Sequence, residues 1–513
     1  MADPIVPSNP RGETSQVVTC SISNMATQST IDVIGILRGI TIFNSLDVMA
    51  ASGWIDVLDQ GNAIEEYSFN GKEIIDIEIH LDKHEATANL SNASDDFNIY
   101  KRRFLVYAIE NITVIADQMM YRIKFIDPFA LMNTDTRISW HFKETKGEDI
   151  IKKIGDVAEN AVNKPYRDAM STEFAGAKLS SSQKLFDFKA DVSTQHNLDI
   201  YVPMMKPFEL IRYLADRVVS NDNPCSWSDC LFYQDKKGTF HLNSFKNLFN
   251  KGDALTFSQQ IADSTTEEKQ HLIETYTFNK IYNIQMDKLN GIYGVQFAIA
   301  DFKPTTRIAT QQTVLGTNIA AGSSVGDDKK SDSLSLHGTI TRYFGGSLGP
   351  INLGDPQKAG IILPFQALNH SPALQSVQLS GDQKQQKVVQ YNNQAGALIF
   401  LDTCGIIHED DNTYDEYKRV TLPYVTGCIM KKVLSTYVIN LVMNGAFDVD
   451  VGKSFVIKLD TTSGPKQMGE FVGDVIWVVS DVRHEWRSDS MQVKTYVTGF
   501  TPFLKRGSKF SVK

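Results

Sequence analysis

The chain has 513 residues, of which 42% are hydrophobic and 22% are charged, and its 60 acidic side chains outnumber its 51 basic ones to give a formal net charge of −9. This length exceeds the roughly 250–300 residues at which a single hydrophobic core stops growing, so we expect two or more domains. The acidic balance argues against a protein that grips nucleic acid over a broad surface, because such binding requires clustered Lys and Arg to neutralise phosphates.

Three features of the sequence concern the compartment in which the protein is made. The N-terminus has neither a basic start nor an apolar run, so we expect no secretory signal. No stretch approaches the roughly 20 apolar residues of a membrane helix, so we expect no membrane span. Five cysteines over this length do not indicate a disulfide framework. We expect reduced thiols of a protein made in the cytosol at Cys20, Cys225, Cys230, Cys404 and Cys428.

The first part of the chain predicts a tail followed by a β-domain. Residues 1–29 are rich in Pro, Ser, Thr and Asn and predict an N-terminal tail. The clearest strand is Glu73 to Leu81, in which Ile75, Ile77 and Ile79 alternate with Asp76, Glu78 and His80. Such alternation is typical of an antiparallel sheet with one buried and one solvated face. Pro128 ends the last of several strands, so we predict a first β-domain over residues 30–135.

The middle of the chain, residues 136–250, predicts a helical and mixed region. Apolar residues at helical spacing predict one helix from Glu148 to Asn160 and a second that begins at Pro207. The apolar stripe of the second helix consists of Leu210, Ile211, Leu214, Ala215 and Val218. Between the helices, residues 168–195 are rich in Ser and Lys and predict a loop or a poorly packed insertion.

The stretch from Cys230 to Phe249 predicts a hairpin. One strand ends at Gln234, and a turn from Asp235 to Gly238 has the Asp start and Gly finish of a loop built on a type I turn. A second strand begins at Thr239. Side chains alternate along strands. We therefore expect one shared face for Phe232, Phe240 and Leu242.

The second half of the chain predicts more strands and several loops. Residues 251–395 predict a mixed β region whose flexible loops include 315–335, dense in Gly, Ser and Asp, and 375–394, rich in Gln. Residues 396–505 predict a second β-domain, and 506–513 form a basic end. The sequence shows no convincing internal repeat, and it does not establish a likeness between the first and last β-domains.

Two groups of residues could bind a metal. Cys225 and Cys230 are spaced C-x4-C, but a zinc site needs a second ligand pair and only His241 is near, so buried or incidental thiols are favoured. The densest set of oxygen ligands is His408-Glu409-Asp410-Asp411 with Asp402 upstream. This run lacks the ligand spacing and the Gly of an EF-hand loop, which favours a solvated acidic turn.

Two further groups could carry acid–base or nucleophilic chemistry. His484 and Glu485 lie beside Arg483 and Arg487, but they fall between predicted strands at 475–482 and 493–498, which favours a hairpin turn. Residues 345–349 match Gly-x-Ser-x-Gly, yet a nucleophile elbow opens into a helix and the following residues are poor helix formers. We therefore predict no catalytic, cofactor-binding or metal-binding residue.

The tryptophans are scattered through the sequence. Trp54 follows a Gly, and we predict an exposed position for it at an interface, where Trp is enriched. For Trp140, Trp227, Trp477 and Trp486 we expect core packing.

Four short motifs in a shared order suggest a family. They are the strand, Ser52-Gly53-Trp54 turn and Phe69-Asn70-Gly71-Lys72-Glu73 step within Ile40–Leu81; the helix and hairpin from Met205 to Phe249; VINLVMNGAFDVDVGKSFVIKL from Val438 to Leu459; and the paired strands within Gly473–Phe500. In this order the motifs resemble the baseplate hub proteins of contractile-tailed bacteriophages. The base of the type VI secretion spike shares that hub fold.

The resemblance implies an α+β fold, mainly antiparallel β, with two tail-tube-like β-barrel domains and a helical or mixed region between them. It implies a non-enzymatic virion protein of the tail baseplate, made in the host bacterial cytoplasm. Hub proteins of this family form a homotrimeric ring that joins the hexameric tail tube to the trimeric central spike and leaves a lumen for tape measure and DNA. The expected partners are further copies of the chain, the central spike protein, a tail tube or tube-initiator protein, the tape measure protein and the wedge proteins.

Two alternatives remain open on sequence grounds. A tail-associated cell-wall hydrolase would need paired carboxylates in a cleft or a metal set. A receptor-binding or glycan-binding tail protein would favour C-terminal repeats and an elongated β-fibre. The extra length within 139–200 and 310–395 carries no role implied by the resemblance.

Overall fold

The structure is a computed structural model that describes residues 15–24, 29–61, 69, 71, 73–81, 98–115, 118–161, 185–225, 227–249, 254–259, 271–280, 294–300, 308–314, 343, 361–362, 398–402, 422–458, 475–502 and 504–505. The strands are β1 Ser15–Asn24, β2 Thr30–Asp32, β3 Leu37–Ser45, β4 Ser52–Asp59, β5 Glu73–Leu81, β6 Ile99–Ile115, β7 Gln118–Ile126, β8 Ile138–Lys146, β9 Phe188–Ala190, β10 Asn197–Met205, β11 Cys230–Gln234, β12 Phe240–Ser244, β13 Leu255–Gln259, β14 Leu272–Lys280, β15 Gly294–Ala300, β16 Ile308–Val314, β17 Ile361–Ile362, β18 Leu398–Asp402, β19 Tyr437–Asn444, β20 Ser454–Lys458, β21 Trp477–Arg487, β22 Gln492–Thr501 and β23 Leu504–Lys505. The helices are a 3-10 turn Ile34–Ile36 and α1 Pro128–Asp135, α2 Gly147–Ala161, α3 Pro207–Ala215, α4 Phe245–Leu248 and α5 Leu422–Leu434.

Most of the strands belong to one 13-stranded sheet that forms two barrels. Its order is β2-β1-β5-β6-β7-β4-β3-β21-β20-β13-β14-β19-β22, and β21 also pairs with β22. This extra pairing closes the last six strands into a barrel. The expected fold, mainly antiparallel β with barrels and some helices, is therefore confirmed.

The first barrel is closed by different means. Its strands β1, β5, β6, β7, β4 and β3 contribute to a single buried core, so the sheet curls around one interior. At the seam, β2 pairs with β1, and the 3-10 turn then leads into β3. Val33 N donates to Cys20 O at 2.9 Å across this seam. A short strand and a turn thus replace a full ladder.

The two barrels repeat one arrangement of five strands. The first has the order β3-β4-β7-β6-β5 and the second β14-β19-β22-β21-β20, and all neighbouring strands in both are antiparallel. The chain visits the five positions in the same succession in each barrel. The structure therefore contains an internal repeat that the sequence did not reveal.

Shifts in the strand register allow the two copies of the repeat to be aligned residue by residue. In each barrel the first strand has a register shift against the second, and the fourth strand has one against the third. The shifts fall at Leu37/Gly39 and Ile273/Thr275, and at Val106/Ala108 and Val479/Asp481. A β-bulge is a fixed feature of a fold rather than a defect, so shared bulges support a shared architecture.

A third core lies between the barrels in the chain and contains the predicted helices and hairpin. Helices α2 and α3 are amphipathic, and their apolar faces pack with the hairpin strands β11 and β12. The predicted shared face of Phe232, Phe240 and Leu242 is confirmed, because all three are buried in this core. Gly238, at the end of the turn, has φ of +93°, a conformation that glycine adopts without steric cost.

Several expectations about the chain are wrong. Ser15–Asn24 is strand β1 rather than part of a tail, since Val17, Cys20 and Ile22 alternate into the first core. Phe186 lies in the segment predicted to pack poorly, yet it is 2% exposed and stacks on Phe240 with ring centroids 5.0 Å apart. Asp76, expected on a solvated face, is buried because its carboxylate binds Arg103.

The second barrel draws on more of the chain than residues 396–505. Strands β13 and β14, from 255–280, complete it, and helix α5 within 422–434 packs on its core through Met430, Val433 and Leu434. The domain boundaries given above remain predictions. Residues 315–335, 375–394 and 506–513 lie outside the described residues, as do 1–14 of the predicted tail.

Candidate functional site

The joint between the barrels is the feature that a structural function would use. Strand β3 of the first barrel pairs antiparallel with β21 of the second, from Gly39 opposite Arg487 to Ser45 opposite Asp481. Ile40 and Trp486 face each other in this ladder and are 1% and 7% exposed. The two barrels therefore share one continuous sheet rather than a linker.

His484 sits at the centre of this joint and not in a turn. The predicted hairpin turn is wrong in position, because β21 continues through Arg487 and the turn occupies residues 488–491. The His484 ring lies 5.1 Å from that of Phe447 and 6.1 Å from that of Tyr100, and its Nδ1 lies 3.1 Å from Thr495 Oγ1. Burial lowers the pKa of His484 to about 3, so the imidazole is neutral at physiological pH and acts as a packing group.

The turn of the middle hairpin fastens onto the joint. Asp235 Oδ1 accepts from Lys237 N at 2.9 Å and from Thr239 N at 2.8 Å, which fixes the turn. Lys236 then donates from its backbone N to Asp450 Oδ2 at 2.7 Å and from Nζ to Phe447 O at 2.8 Å. The middle region is thereby tied to the 445–453 loop of the second barrel.

A buried polar cluster ties the same hairpin to the first barrel. Arg102 donates to Asp127 Oδ2 at 2.8 Å and to Asp235 O at 3.2 Å. Gln234 donates to Asp127 Oδ2 at 2.9 Å and accepts from Ala51 N at 3.0 Å. Asp127 also accepts from Phe129 N at 2.8 Å as the N-cap of α1. Nearly every polar atom of this cluster is satisfied, which is the condition under which a buried network rigidifies a fold.

Asp450 is a buried carboxyl group at the joint whose pKa is raised. Burial raises the pKa of Asp450 to about 6, and the nearby Asp235 carboxylate adds to the rise, while donation from the backbone N–H groups of Lys236 and Val451 opposes it. Asn44 links this carboxylate to the first barrel, with Nδ2 3.5 Å from Asp450 Oδ1 and 2.7 Å from Gln234 O. The three regions of the chain meet at these groups.

The structure separates the residues that could have formed a zinc site. His241 Nδ1 lies 2.7 Å from Asp191 Oδ2 and its Nε2 lies 3.3 Å from Asp235 Oδ2. Although burial opposes the charged form, these two carboxylates raise the pKa of His241 to about 9. The imidazolium is not a metal ligand. Burial raises the pKa of the Cys230 thiol, which disfavours the thiolate that zinc requires.

The other candidate groups fall largely outside the described residues. These are His408–Asp411 and the Gly345–Gly349 loop. Within the part of the chain that the structure describes, no group of three or more His, Cys, Asp or Glu side chains could hold a metal ion. In the same part, no helix is both long and apolar enough to cross a membrane.

The tryptophans divide differently from the prediction. Trp54 is half-buried, with the Arg122 guanidinium 4.7 Å from its ring centre. Trp227, Trp477 and Trp486 are buried as expected, but Trp140 is 55% exposed on β8. The expectation of core packing for Trp140 is therefore wrong.

The sequence reasoning missed the polar cluster and the repeat that underlies the joint. One signal was present: Asp127-Pro128-Phe129 follows the last strand of the first barrel, and Thr501-Pro502-Phe503 ends the second. A short polar residue before Pro is a helix-start signature, and helix α1 follows it at Asp127, whereas strand β23 follows it at Thr501. Seen twice after similar strands, it would have suggested two copies of one unit.

No protein-family model matches the chain, and no curated protein sequence matches it. Solved structures do align with it. They include the 43 kDa tail protein of prophage MuSo2 from Shewanella oneidensis, with 9% identity, coverage of 94% of this chain and 98% of that one, and a TM-score of 0.43. A tail protein from Neisseria meningitidis MC58 aligns with 9% identity over 96% of each chain at a TM-score of 0.45.

A third similar structure comes from a secretion system. It is an E. coli component of the type VI secretion system, described as similar to T4 bacteriophage tail proteins, with 8% identity and a TM-score of 0.36. The alignment covers 97% of this chain and 78% of that one. Phage tails and the type VI system are the two groups that the sequence resemblance names.

Proposed function

We propose that this protein is a structural hub of a phage tail baseplate. In this proposal three copies form a ring that joins a hexameric tail tube to a trimeric central spike. The observation that carries the proposal is the internal repeat, because one chain holds the same five-strand unit twice and joins the two units into one sheet.

The repeat answers a problem of symmetry. A sixfold tube and a threefold spike can meet without mismatch only if the part between them offers six similar surfaces on one side and three on the other. Three chains with two similar barrels each supply six barrels, while the single middle region of each chain supplies three. Closed point-group symmetry is the usual rule for soluble oligomers.

The buried joint suits this role because it holds the two barrels at a fixed angle. The Gln234–Asp127 hydrogen bond and the Lys236–Asp450 contact tie both barrels to the middle hairpin. A ring of identical copies closes only if the rotation between neighbouring copies is the same at every interface. A rigid joint between the barrels keeps that rotation constant and so favours a closed ring over an open filament. The net charge of −9 suits a lumen through which tape measure and DNA pass without being retained.

The expected partners are a tube or tube-initiator protein on one side, the spike on the other and the wedge proteins outside. The test is the stoichiometry of complexes formed with the tube and spike proteins of the same tail, measured by native mass spectrometry. We expect three copies of this chain per three spike chains and per six tube chains. Six copies per tube hexamer, or no complex with either partner, would contradict the proposal.

A further inference from the structure

Two strand edges on opposite barrels are open in the described part of the chain. Strand β6 pairs with β5 only from Ile99 to Leu105, and beyond Leu105 no described strand lies on that side. The bare half carries Tyr107, Ile112 and Val114, which are 48%, 56% and 65% exposed. A long edge with exposed apolar side chains is a template for pairing with another strand.

The second edge belongs to β14. This strand pairs with β19 along one side, but on the other side β13 meets only Leu272 and Ile273. From Glu274 to Phe278 no described strand lies beside that edge, and Tyr276 and Phe278 are half-buried. The two open edges cannot cover each other within one copy, because they belong to different barrels on either side of the β3–β21 joint.

The internal repeat shows which strand edge of the other barrel is equivalent to each open edge. The first strand of the repeat is β3 in one barrel and β14 in the other, and the fourth strand is β6 in one and β21 in the other. Within the chain, β3 covers the second half of β21 from Asp481 to Arg487. Apart from one extra residue that β6 carries between Glu110 and Thr113, its open half is the equivalent of that covered half of β21. The open edge of β14 is the equivalent of the covered edge of β3.

The difference in exposure at equivalent positions indicates a missing partner. Val114 pairs with Met119, and Trp486 pairs with Val493 at the same place in the repeat. Trp486 is 7% exposed beside β3, whereas Val114 is 65% exposed. Counting from the shared bulges, Tyr276 is the equivalent of Ile40, the residue that faces Trp486.

We infer that β14 of one copy pairs antiparallel with the open half of β6 of a second copy, in the register of the internal joint. That register places Val114 opposite Tyr276, Thr113 opposite Thr277 and Ile115 opposite Thr275 of the neighbouring copy. The contact joins two different edges and is therefore heterologous. Each copy binds one neighbour through β14 and another through β6, so a ring can close. This inference deepens the proposed ring, on whose self-assembly it rests, by naming the strands that form it.

Disulfide trapping tests the register. Residues directly opposite in an antiparallel ladder have Cβ atoms about 4.5–5.5 Å apart, close to disulfide range, whereas diagonal neighbours are about 7–8 Å apart. Val114→Cys with Tyr276→Cys in one chain should give a ladder of covalent oligomers under mild oxidation. A mixture of the two single variants should give dimers only. The matched control, Val114→Cys with Phe278→Cys, is two residues out of register and should cross-link at least 10-fold less.

Assembly without cysteine chemistry gives a second test. Val114→Lys places a charge in the proposed joint but points into solvent in a single copy, so the barrels should stay folded and the oligomer should dissociate at least 10-fold more readily. Met491→Lys is the control, because Met491 is 52% exposed at the β21–β22 turn and lies outside the joint. Equal dissociation of both variants and the unaltered protein would overturn the inference, as would cross-linking of Val114→Cys to itself.

The outcomes separate this inference from the proposed function. If complexes of three copies with six tube chains form but Val114 and Tyr276 do not cross-link in them, the inferred strand pairing is wrong and the hub remains. If the cross-link forms but no tube or spike complex does, the strand pairing stands and the hub is wrong.

Discussion

The two barrels share five strands but differ in how they close. In the second barrel, β13 pairs in parallel with both β14 and β20 and closes the barrel. In the first, the corresponding strand β1 runs antiparallel to β5, and the short β2 and a 3-10 turn cover the seam. The difference teaches that the five-strand sheet is the conserved element of the repeat and that the sixth strand is adapted to each barrel's neighbours.

The cores of the two barrels also differ in a complementary way. Gly53 of β4 faces Phe125 of β7 in the first barrel, and at the same place in the second, Ile439 of β19 faces Gly499 of β22. A large and a small residue have exchanged strands. The pair keeps one large and one small residue although both identities change, and packing tolerates substitutions that roughly preserve volume better than others.

The largest effect is expected at a position where the barrels differ in polarity. Arg102 and Asp127 form a buried ion pair in the first barrel. Counting back from β6 and β21 makes Val475 the equivalent of Arg102, and counting along β7 and β22 makes Thr501 the equivalent of Asp127. Arg102→Val should reduce the free energy of unfolding by about 3–5 kcal/mol, because Asp127 is left as an uncompensated buried charge. Urea unfolding followed by tryptophan fluorescence measures the change.

The double variant Arg102→Val with Asp127→Thr copies the second barrel and is the control. It should lose clearly less stability than Arg102→Val alone, since the orphaned charge is gone and Thr can still cap α1. An equal loss in both variants would show that the cost arises from packing and not from charge.

The second prediction concerns the two core glycines. A Cβ at Gly53 would meet the backbone oxygen of Thr41 and lie 2.6 Å from the Phe125 ring, whereas a Cβ at Gly499 would meet side chains, chiefly the Phe455 ring. Gly53→Ala and Gly499→Ala should each cost about 2–3 kcal/mol through overpacking. Gly35→Ala, with nothing within 4 Å of its Cβ, is the matched control.

Trimming the neighbouring ring should distinguish the two glycines. Phe455→Leu should recover part of the loss in Gly499→Ala, because the ring is the obstacle there. Phe125→Leu should not recover the stability lost in Gly53→Ala, because the Thr41 backbone oxygen still blocks the added Cβ. The measurement is the coupling energy from a double-mutant cycle in urea, and similar coupling in both barrels would contradict this difference.

The last effect is expected from pH at the joint, where the full change is spread over about two pH units. Because the pKa of Asp450 is about 6 when folded and about 3.9 when unfolded, the folded state binds the proton more tightly. The stability that Asp450 gains from binding its proton is therefore fully present below about pH 3.9 and is lost as the pH rises to about 6. The free energy of unfolding changes by up to about 3 kcal/mol over this range. Asp450→Asn should lack this fall, so the difference in unfolding free energy between the two proteins should change between pH 4 and 6.

Other carboxylates titrate in the opposite direction and are shared by both proteins. The pKa values of Asp191, Asp235 and Asp448 are lowered by their histidine partners although burial opposes this, so they add stability that is lost as pH falls below their unfolded pKa. Taking the difference between the unfolding free energies of the unaltered protein and Asp450→Asn removes the contributions of these carboxylates. A difference that stays constant from pH 4 to 7 would contradict the raised pKa of Asp450.

The local elements were predictable from sequence because local patterns determine them. The strand at Glu73–Leu81 and the helix that begins at Pro207 follow from alternation and helical spacing of apolar residues. The 230–244 hairpin follows from its Asp–Gly turn. These patterns need no information from distant parts of the chain.

The joint was not predictable because distant residues create it. Arg102, Gln234 and Asp450 are unremarkable in sequence and become a cluster only when three regions meet. The repeat was hidden because exchanged side-chain sizes, as at Gly53 and Gly499, erase sequence similarity while keeping the strand order. Strand β1 was missed because Thr, Ser and Asn between its apolar residues resemble a linker in composition.

The most direct measurement of the central claim is the shape and mass of the protein's own assembly. Negative-stain class averages, with mass photometry of the same sample at low micromolar concentration, would show both. The account predicts a three-chain ring with a central hole and six lobes of similar size. A compact monomer that persists after cross-linking and after addition of the spike protein would contradict it.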